Sequence, residues 1–588
     1  MLKLSRYFNK QEWLMILAIV GCVFVQVYFD LKLPEFMSNI TTLLQTEGST
    51  SAEIWSAGGS MILCALGSLA AAIATCYFAS RVSAGLSMTL RSKLYDKVDS
   101  FSMQEINQFS TASLITRSTN DITQIQQFNV MALQMLIKAP ITAVWAITKI
   151  ADKSWQWSVA TGGFVIALVA VLVIIFLMVY PKFKKTQKMT DKLNNVTREN
   201  LTGIRVVRAY NAEEYQQEKF EAANDDLTQV NLYTYKKMSF MMPFITFVMS
   251  ALSLAVYWIG AYLINGAGLS AQLTLFSDMV VFSSYAIQVV MAFMMLVMVL
   301  IMMPRAAVSA GRVNEVLDTR ESMKDGTLIE SPSGVRGKLE FKNVSFKYPG
   351  AQEPVLENIS FTANPGETVA FIGPTGSGKS TLINLIPRFY ETTEGNVYVD
   401  DVDVRDYNRE ALNNKLGYVS QKAVLFSGTV ASNVTYGENG KKYATPDDEL
   451  RKSVKIAQGK EFVEKMDGKY DAHIAQGGSN VSGGQKQRLS IARAVYRDPE
   501  IYIFDDSFSA LDNTTDRKLR ASLGKETKGA TTLIVGQRIG TIMDADQIIV
   551  LEEGKMVGKG THRELLKSCT VYQEIAYSQL SKEELVNA

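Results

Sequence analysis

Histidine is almost absent from this chain of 588 residues, which has only His473 and His562, and cysteine is nearly as rare. The four cysteines, Cys22, Cys64, Cys76 and Cys569, show neither metal-type spacing nor the pattern of a disulfide scaffold. The first three fall in apolar runs, where they read as plain packing residues. A charge bias is missing too. Sixty Lys and Arg against 58 Asp and Glu leave a net charge of +2, which implies no nucleic-acid partner. At 47% hydrophobic and 20% charged residues, disorder is excluded. No Lys or Arg occurs from Leu33 to Ser80, and Asn265–Leu275 carries no charge of either sign.

Long apolar runs are abundant, and all lie between Trp13 and Pro304. A hydrocarbon core needs about 20 apolar helical residues to cross it. Trp13–Leu31, Ala57–Ser80, Ser158–Tyr180, Ser239–Ile264 and Val280–Met303 meet that length, and Val130–Ile150 does so despite Lys138 and Pro140. Six spans are therefore predicted. Lys3, Arg6 and Lys10 ahead of the first could be read as the basic region of a signal peptide, but no small-residue cleavage site follows before Pro34, so the helix is expected to stay. The uncharged or Lys/Arg-free loops belong outside, and the basic segments Arg81–Arg117 and Lys182–Lys237 inside, which puts both termini in the cytoplasm. The short connection with Lys149, Asp152 and Lys153 departs mildly from that pattern. Residues 81–129 and 181–238 keep helical apolar spacing (Leu86, Leu90, Leu94; Leu193, Val196), so the membrane helices are expected to continue far into the cytosol and reverse. Levers of that length suit a cytosolic element that pushes on them.

The remainder reads as a charged soluble domain. The predicted division is a membrane domain at 1–317, a polar linker at 318–337 and an α/β domain at 338–588. In the last, the buried-strand run Thr368–Ile372 leads into Gly373-Pro-Thr375-Gly376-Ser377-Gly378-Lys379-Ser380-Thr381, a complete phosphate-binding loop. Its glycines let backbone N–H groups wrap phosphates at a helix N-terminus. Lys379 is placed to reach the outer phosphates, and the Ser380 hydroxyl to meet Mg²⁺. A second apolar run, Ile501–Phe504, ends in Asp505, where a carboxylate at a strand's C-terminal edge can hold the same metal, through water.

Val481-Ser482-Gly483-Gly484-Gln485, just ahead of Gln487-Arg488, resembles the signature loop of ABC ATPases, with Val for the usual Leu. Six spans followed by such a domain resemble a half-size ABC exporter over essentially the whole chain: a type IV helical membrane domain with long cytosolic extensions, then a P-loop ATPase domain. The resemblance implies roles for further residues. Tyr348 matches the aromatic that stacks on adenine, Gln421 the glutamine that touches Mg²⁺ and signals to the membrane domain, and Asp512, in Ser509-Ala-Leu-Asp512, the D-loop. It places two coupling helices near Phe101–Phe109 and Arg208–Tyr215. It also implies ATP held between two nucleotide domains, Ser482 and the amides of Gly483 and Gly484 closing on ATP bound by the other subunit.

Two positions depart from the family pattern. After Asp505 the family places Glu, the general base, where this chain has Asp506; at the switch histidine it has Gln537, which cannot become a cation. Pulling a carboxylate back by one methylene can cost on the order of 10²-fold in rate. The two changes beside an intact phosphate loop lead to the expectation of a site that binds ATP and hydrolyses it poorly. The partner would be a second half-transporter with Glu and His at those places, as in bacterial heterodimeric multidrug exporters. Gln476 stands where exporters usually carry an acidic residue. The alternatives are a homodimeric lipid or peptide exporter and an ATP-gated channel or regulatory subunit.

The cargo is less legible. Span five offers Phe240, Met241, Met242, Phe244, Phe247 and Met249, and span six Met291, Phe293, Met294, Met295, Met298, Met302 and Met303. Adaptable thioethers and aromatics suit a hydrophobic cavity, although lipid contact and helix packing use the same residues. Lys138 and Asp278 lie in or beside apolar spans; substrate or helix contact is one reading, solvation at a span's end the expected one.

Overall fold

The computed structural model describes residues 2–45, 49–151, 153–332, 334–437, 448–527 and 529–580. The chain packs as two compact units: Met1–Asp99 with Ser110–Thr319, and Ser100–Phe109 with Arg320–Ala588.

The first unit is helical. Among the described residues, six helical runs are long and apolar enough to cross a membrane: Lys10–Leu44, Ser51–Asp99, Thr111–Ala151, Trp155–Val179, Glu213–Asn265 and Ala271–Asp318. Helices prevail here because each satisfies its own backbone polar groups, the condition for crossing hydrocarbon. Five of the six predicted spans fall within these runs, and the fourth, Ser158–Tyr180, extends one residue past its run. Most side chains on the apolar stretches face outward, Leu14, Leu63, Ile166 and Trp258 among them, as lipid contact allows. The core is a thin seam of Val23, Val27, Val82, Leu172, Val256, Phe282 and Val289. Trp157 is fully buried in it and donates its indole N–H to the Val256 carbonyl at 3.0 Å. The third run contains two π-helical turns, Arg117–Asp121 and Ala132–Leu136, the second just ahead of the helix Ile137–Ala151 that carries Lys138 and Pro140.

The long extensions are present. Ser51–Asp99 is one helix of 49 residues, about 74 Å at 1.5 Å per residue. Trp155–Thr202 runs 48 residues. The first reversal is the helix Met103–Phe109, inside the predicted segment. The second comes earlier than 208–215: a short helix Ile204–Ala209 follows the break at Gly203, and Glu213 already opens the returning helix. Gly203 is the reason, since it ends the preceding helix outside helical geometry.

Solvation at the span ends does not describe Lys138 and Asp278. Lys138 pairs with Asp30 at 3.0 Å and Asp278 with Lys153 at 2.6 Å, because a charge beside hydrocarbon finds an opposite charge when helices bring one near. Glu35 bridges Lys32 and Lys149 nearby; Asp152, of the same predicted loop, lies outside the described residues. Cys76 is exposed rather than packed. The Met and Phe set divides, with Met241, Phe244, Met249, Phe293 and Met294 packed on the core and Phe240, Met242, Phe247 and Met298 exposed.

The second unit is α/β. Its main sheet runs, in spatial order, Lys555–Gly560, Gln547–Glu552, Thr368–Ile372, Thr531–Val535, Ile501–Asp505 and Leu416–Val419. All neighbours are parallel except the first pair. Parallel strands are covered on both faces, which is why Ile501–Asp505 is buried along its whole length. An antiparallel sheet of Leu356–Ala363, Leu339–Phe346, Glu394–Val399 and Val402–Asp403 accompanies it. The helix Met103–Phe109 belongs to this unit. Glu105 anchors it, buried and accepting from the backbone N–H of Ser102 at 2.8 Å and of Ser322 at 3.0 Å. Asn107 donates to the Tyr390 hydroxyl at 3.0 Å.

Candidate functional site

Register builds the site. Val535 lies opposite both Phe371 and Asp505, and Val419 opposite Phe504. Four adjacent parallel strands therefore end together, and the segments leaving them carry the phosphate loop, Gln537, Asp505 with Asp506, and Gln421.

Gly373 must be glycine, because a Cβ there would lie 1.9 Å from the Leu551 carbonyl oxygen. Gly378, at φ 93°, turns the chain into the helix Lys379–Asn384. The Lys379 ammonium folds back into the loop and donates to the carbonyls of Gly373 and Pro374, both at 2.8 Å, and to Ser377 Oγ at 3.2 Å. Burial holds its pKa below the ordinary lysine value despite the Asp506 and Asp505 carboxylates. Ser380 Oγ donates to Asp505 Oδ1 at 2.9 Å. A hydroxyl and a carboxylate that close, beside a loop for phosphates, fit Mg²⁺, which takes few protein oxygens and completes its shell with phosphate and water. The Tyr348 hydroxyl meets Thr381 Oγ1 at 3.0 Å, and its ring packs edge-on against Tyr390.

Asp506 sits in left-handed backbone at φ 46° and hangs from the Val535 carbonyl by its own N–H at 3.0 Å. Its Oδ2 accepts from Gln537 Nε2 at 2.8 Å and from Gln421 Nε2 at 3.3 Å. Burial pushes both Asp505 and Asp506 above the usual carboxylate range; hydrogen bonds, from Ser380 to the first and from Gln421 and Ser509 to the second, offset part of that.

Ser482 caps the helix Gly483–Tyr496 in a reciprocal box: its hydroxyl accepts from Gln485 N–H, and Gln485 Oε1 accepts from Ser482 N–H at 2.9 Å. Among the described residues no hydrogen bond joins Ser482–Gln485 to the phosphate loop. Asp512 caps the helix Asn513–Glu526 through Thr515 N–H at 2.9 Å. Thr375 and Gly376 lie on the loop's open side, and Gln476 is exposed. The site thus gathers Tyr348, 373–381, Gln421, Asp505, Asp506 and Gln537, and leaves the signature residues and Asp512 apart.

Sequence reading missed two groups. Arg538 reaches the Asn513 side chain at 3.1 Å and the Ser509 carbonyl at 3.4 Å, and Gln579 bonds the Gln537 carbonyl at 2.7 Å and the Ile539 N–H at 2.8 Å. Arg538 adjoins Gln537 and could have been flagged; nothing around Gln579 marks it.

Six apolar spans followed by a P-loop sheet with an acid-ended strand one place beyond the P-loop strand's neighbour define a membrane protein driven by a nucleoside triphosphate. Residues 13–314 match the ABC transporter transmembrane region and 356–509 the ABC transporter domain. The chain belongs to the ABC transporter family, as a half-transporter of the exporter type, ATP-hydrolysing and multi-pass with a cytoplasmic ATPase domain. An uncharacterized ABC transporter ATP-binding protein of Mycobacterium tuberculosis is 41% identical over 89% of this chain and 87% of its own. The uncharacterized ABC transporter ATP-binding protein YfiB of Bacillus subtilis is 37% identical over 90% of each. An ATP-dependent lipid A-core flippase of Aromatoleum aromaticum is 32% identical over 87% and 83%. A bacterial Atm1-family ABC exporter with ATP bound shares the fold at TM-score 0.78, covering 96% of this chain and 97% of that one at 22% identity.

Proposed function

We propose that this chain is the half of a heterodimeric exporter whose own nucleotide site holds ATP and hydrolyses it poorly. The observation that carries this reading is the Asp506 carboxylate, one methylene shorter than the family's glutamate, with Oδ2 taken up by the amides of Gln537 at 2.8 Å and Gln421 at 3.3 Å. A general base must reach the water it deprotonates. A short carboxylate tied back by two donors reaches less far, and a glutamine at 537 supplies no cation to the transferring phosphoryl group.

Binding is a separate matter. Lys379 and the loop amides take the phosphates, and Tyr348 the adenine. Ser380, Asp505 and Gln421 are the groups for Mg²⁺, which offsets phosphate charge and polarises the γ-phosphoryl group. The partner's signature loop closes this site. This chain's Ser482, Gly483, Gly484 and Gln485, with the D-loop Asp512 beside them, complete the partner's site, where Glu and His do the hydrolysis. ATP binding joins the nucleotide domains and turns the membrane helices outward, and turnover at the partner's site resets them.

The cargo we propose is a hydrophobic or amphipathic compound of the multidrug type, supported by the exposed Phe240, Met242, Phe247 and Met298 of spans five and six. A lipid cargo is a second reading, favoured by relatives that are lipid A-core flippases.

The full chain, purified in detergent, should hydrolyse ATP negligibly by itself. Co-expression with the second half-transporter should restore turnover, and changing the partner's glutamate to glutamine should abolish it. Brisk hydrolysis by this chain alone, lost in Asp506→Asn, would make Asp506 a working base and the assembly a homodimer.

A further inference from the structure

We infer that Gln579 is a positioning residue for the switch segment: from the end of the last described helix it braces Gln537 and so sets this site's preference for a γ-phosphate. The short helix Ile539–Ile542 opens at Arg538, whose side chain supplies no cap. Its first N–H groups are therefore orphan donors. Gln579 answers one of them from outside, its Oε1 accepting from Ile539 N–H at 2.8 Å while its Nε2 donates to the Gln537 carbonyl at 2.7 Å. One amide group spans the backbone on both sides of Arg538 and uses both of its functions.

The far end of that backbone carries Gln537, whose side chain reaches Asp506 Oδ2 at 2.8 Å. The brace has a firm base. Tyr572 and Ala576 of the helix Thr570–Gln579 are fully buried, and the Tyr572 hydroxyl lies 2.6 Å from His562 Nδ1. Ile539 and Ile542 are buried in the same hydrophobic core as Tyr572 and Ala576. Gly536 leaves no room for slack, since a Cβ there would lie 2.6 Å from Ile542 Cγ2. The direction Gln537 points is thus set by a chain of contacts running from the C-terminal helix to the catalytic edge of the sheet. Gln579 itself is exposed, so replacing it leaves the core intact.

This inference rests on the proposed nucleotide site, with Gln537 at the position that meets the γ-phosphate, and is independent of whether the site turns over. The test is equilibrium binding to the full-length chain in detergent with Mg²⁺, comparing ADP with the γ-thiophosphate analogue of ATP. Gln579→Ala should weaken the triphosphate analogue about threefold to tenfold, the worth of one net hydrogen bond, and leave ADP within about twofold, as for a contact outside the diphosphate's reach. Gln537→Ala should do the same, and the double variant no more than either alone. Gln579→Glu keeps the acceptor but loses the donor and should behave like Gln579→Ala. Ser578→Ala, one residue away, should change nothing. Equal losses for both nucleotides, no loss for the triphosphate, or additive losses in the double variant would each overturn the brace. Lys379→Ala checks the underlying reading separately: if both nucleotides still bind, the site itself is misassigned.

Discussion

Asp506 and Gln537 are two small substitutions that act on one oxygen. If the proposed poor hydrolysis comes from the shortened base and the missing cation, restoring both should speed the site. Asp506→Glu with Gln537→His should raise turnover of the chain alone on the order of 10²-fold, the scale set by an angstrom-sized displacement of a reacting group. Phosphate release measures it, and a rise under about threefold would place the defect elsewhere. Asp505 allows a prediction in pH. Burial raises its pKa on folding, so its contribution to stability is fully present below the ordinary carboxylate pKa and lost as pH rises through the raised one. Without nucleotide or Mg²⁺, Asp505→Asn should therefore raise the apparent unfolding temperature clearly at pH 8 and much less near pH 4, where little of the contribution has been lost. A gain confined to pH 4 would reverse the sign and the argument. The phosphate loop and Asp505 were legible in the sequence because each is a local pattern at a strand's end, and Gln421 through its resemblance to the family's glutamine. The pairing of Gln537 with Asp506 was not, since it depends on which strands become neighbours.

The helix Met103–Phe109 shows the same division between local and distant information. Ser102-Met-Gln-Glu105 has the capping-box pattern that sequence alone could have flagged; the structure forms its Glu half, Ser102 N–H to Glu105 at 2.8 Å, while the Ser102 hydroxyl accepts from Gln104 N–H at 3.1 Å. The bond from Ser322, 217 residues away, could not be foreseen. Burial alone would push the Glu105 pKa up; the hydrogen bonds from Ser102 and Ser322 outweigh it and hold the carboxyl below its usual range. Glu105→Ala leaves donors without an acceptor, at about 1–3 kcal/mol for each one that stays buried. Amide exchange across 100–109 should accelerate accordingly, while exchange in the strand Ile501–Asp505 stays as before. Uniform acceleration in both would mean global destabilisation instead of release of one element. The long helices were legible because apolar spacing persists past the span. The early second reversal was not, because it turns on Gly203 ending a helix inside a basic stretch with no other punctuation.

Across the whole molecule, hydropathy sorts the chain into a membrane part and a soluble part, but it does not say how apolar helices choose their neighbours. Hydrophobic contact discriminates weakly when lipid is as apolar as leucine. The ion pairs do discriminate. Asp30 on the first span accepts from Lys138 on the third at 3.0 Å and from Ser68 on the second, so one carboxylate ties three helices. Neither partner is fully buried, with side-chain exposures of 28% and 21%. Removing either should therefore cost between the exposed and buried limits, about 1–3 kcal/mol. If the pair specifies helix packing, Lys138→Met and Asp30→Asn should each lower the apparent unfolding temperature in detergent. The double variant should lose less than the two single losses added, because the second change removes an already orphaned charge. Strictly additive losses would mean that the two residues act independently, and that this pair does not choose the neighbours of the first span.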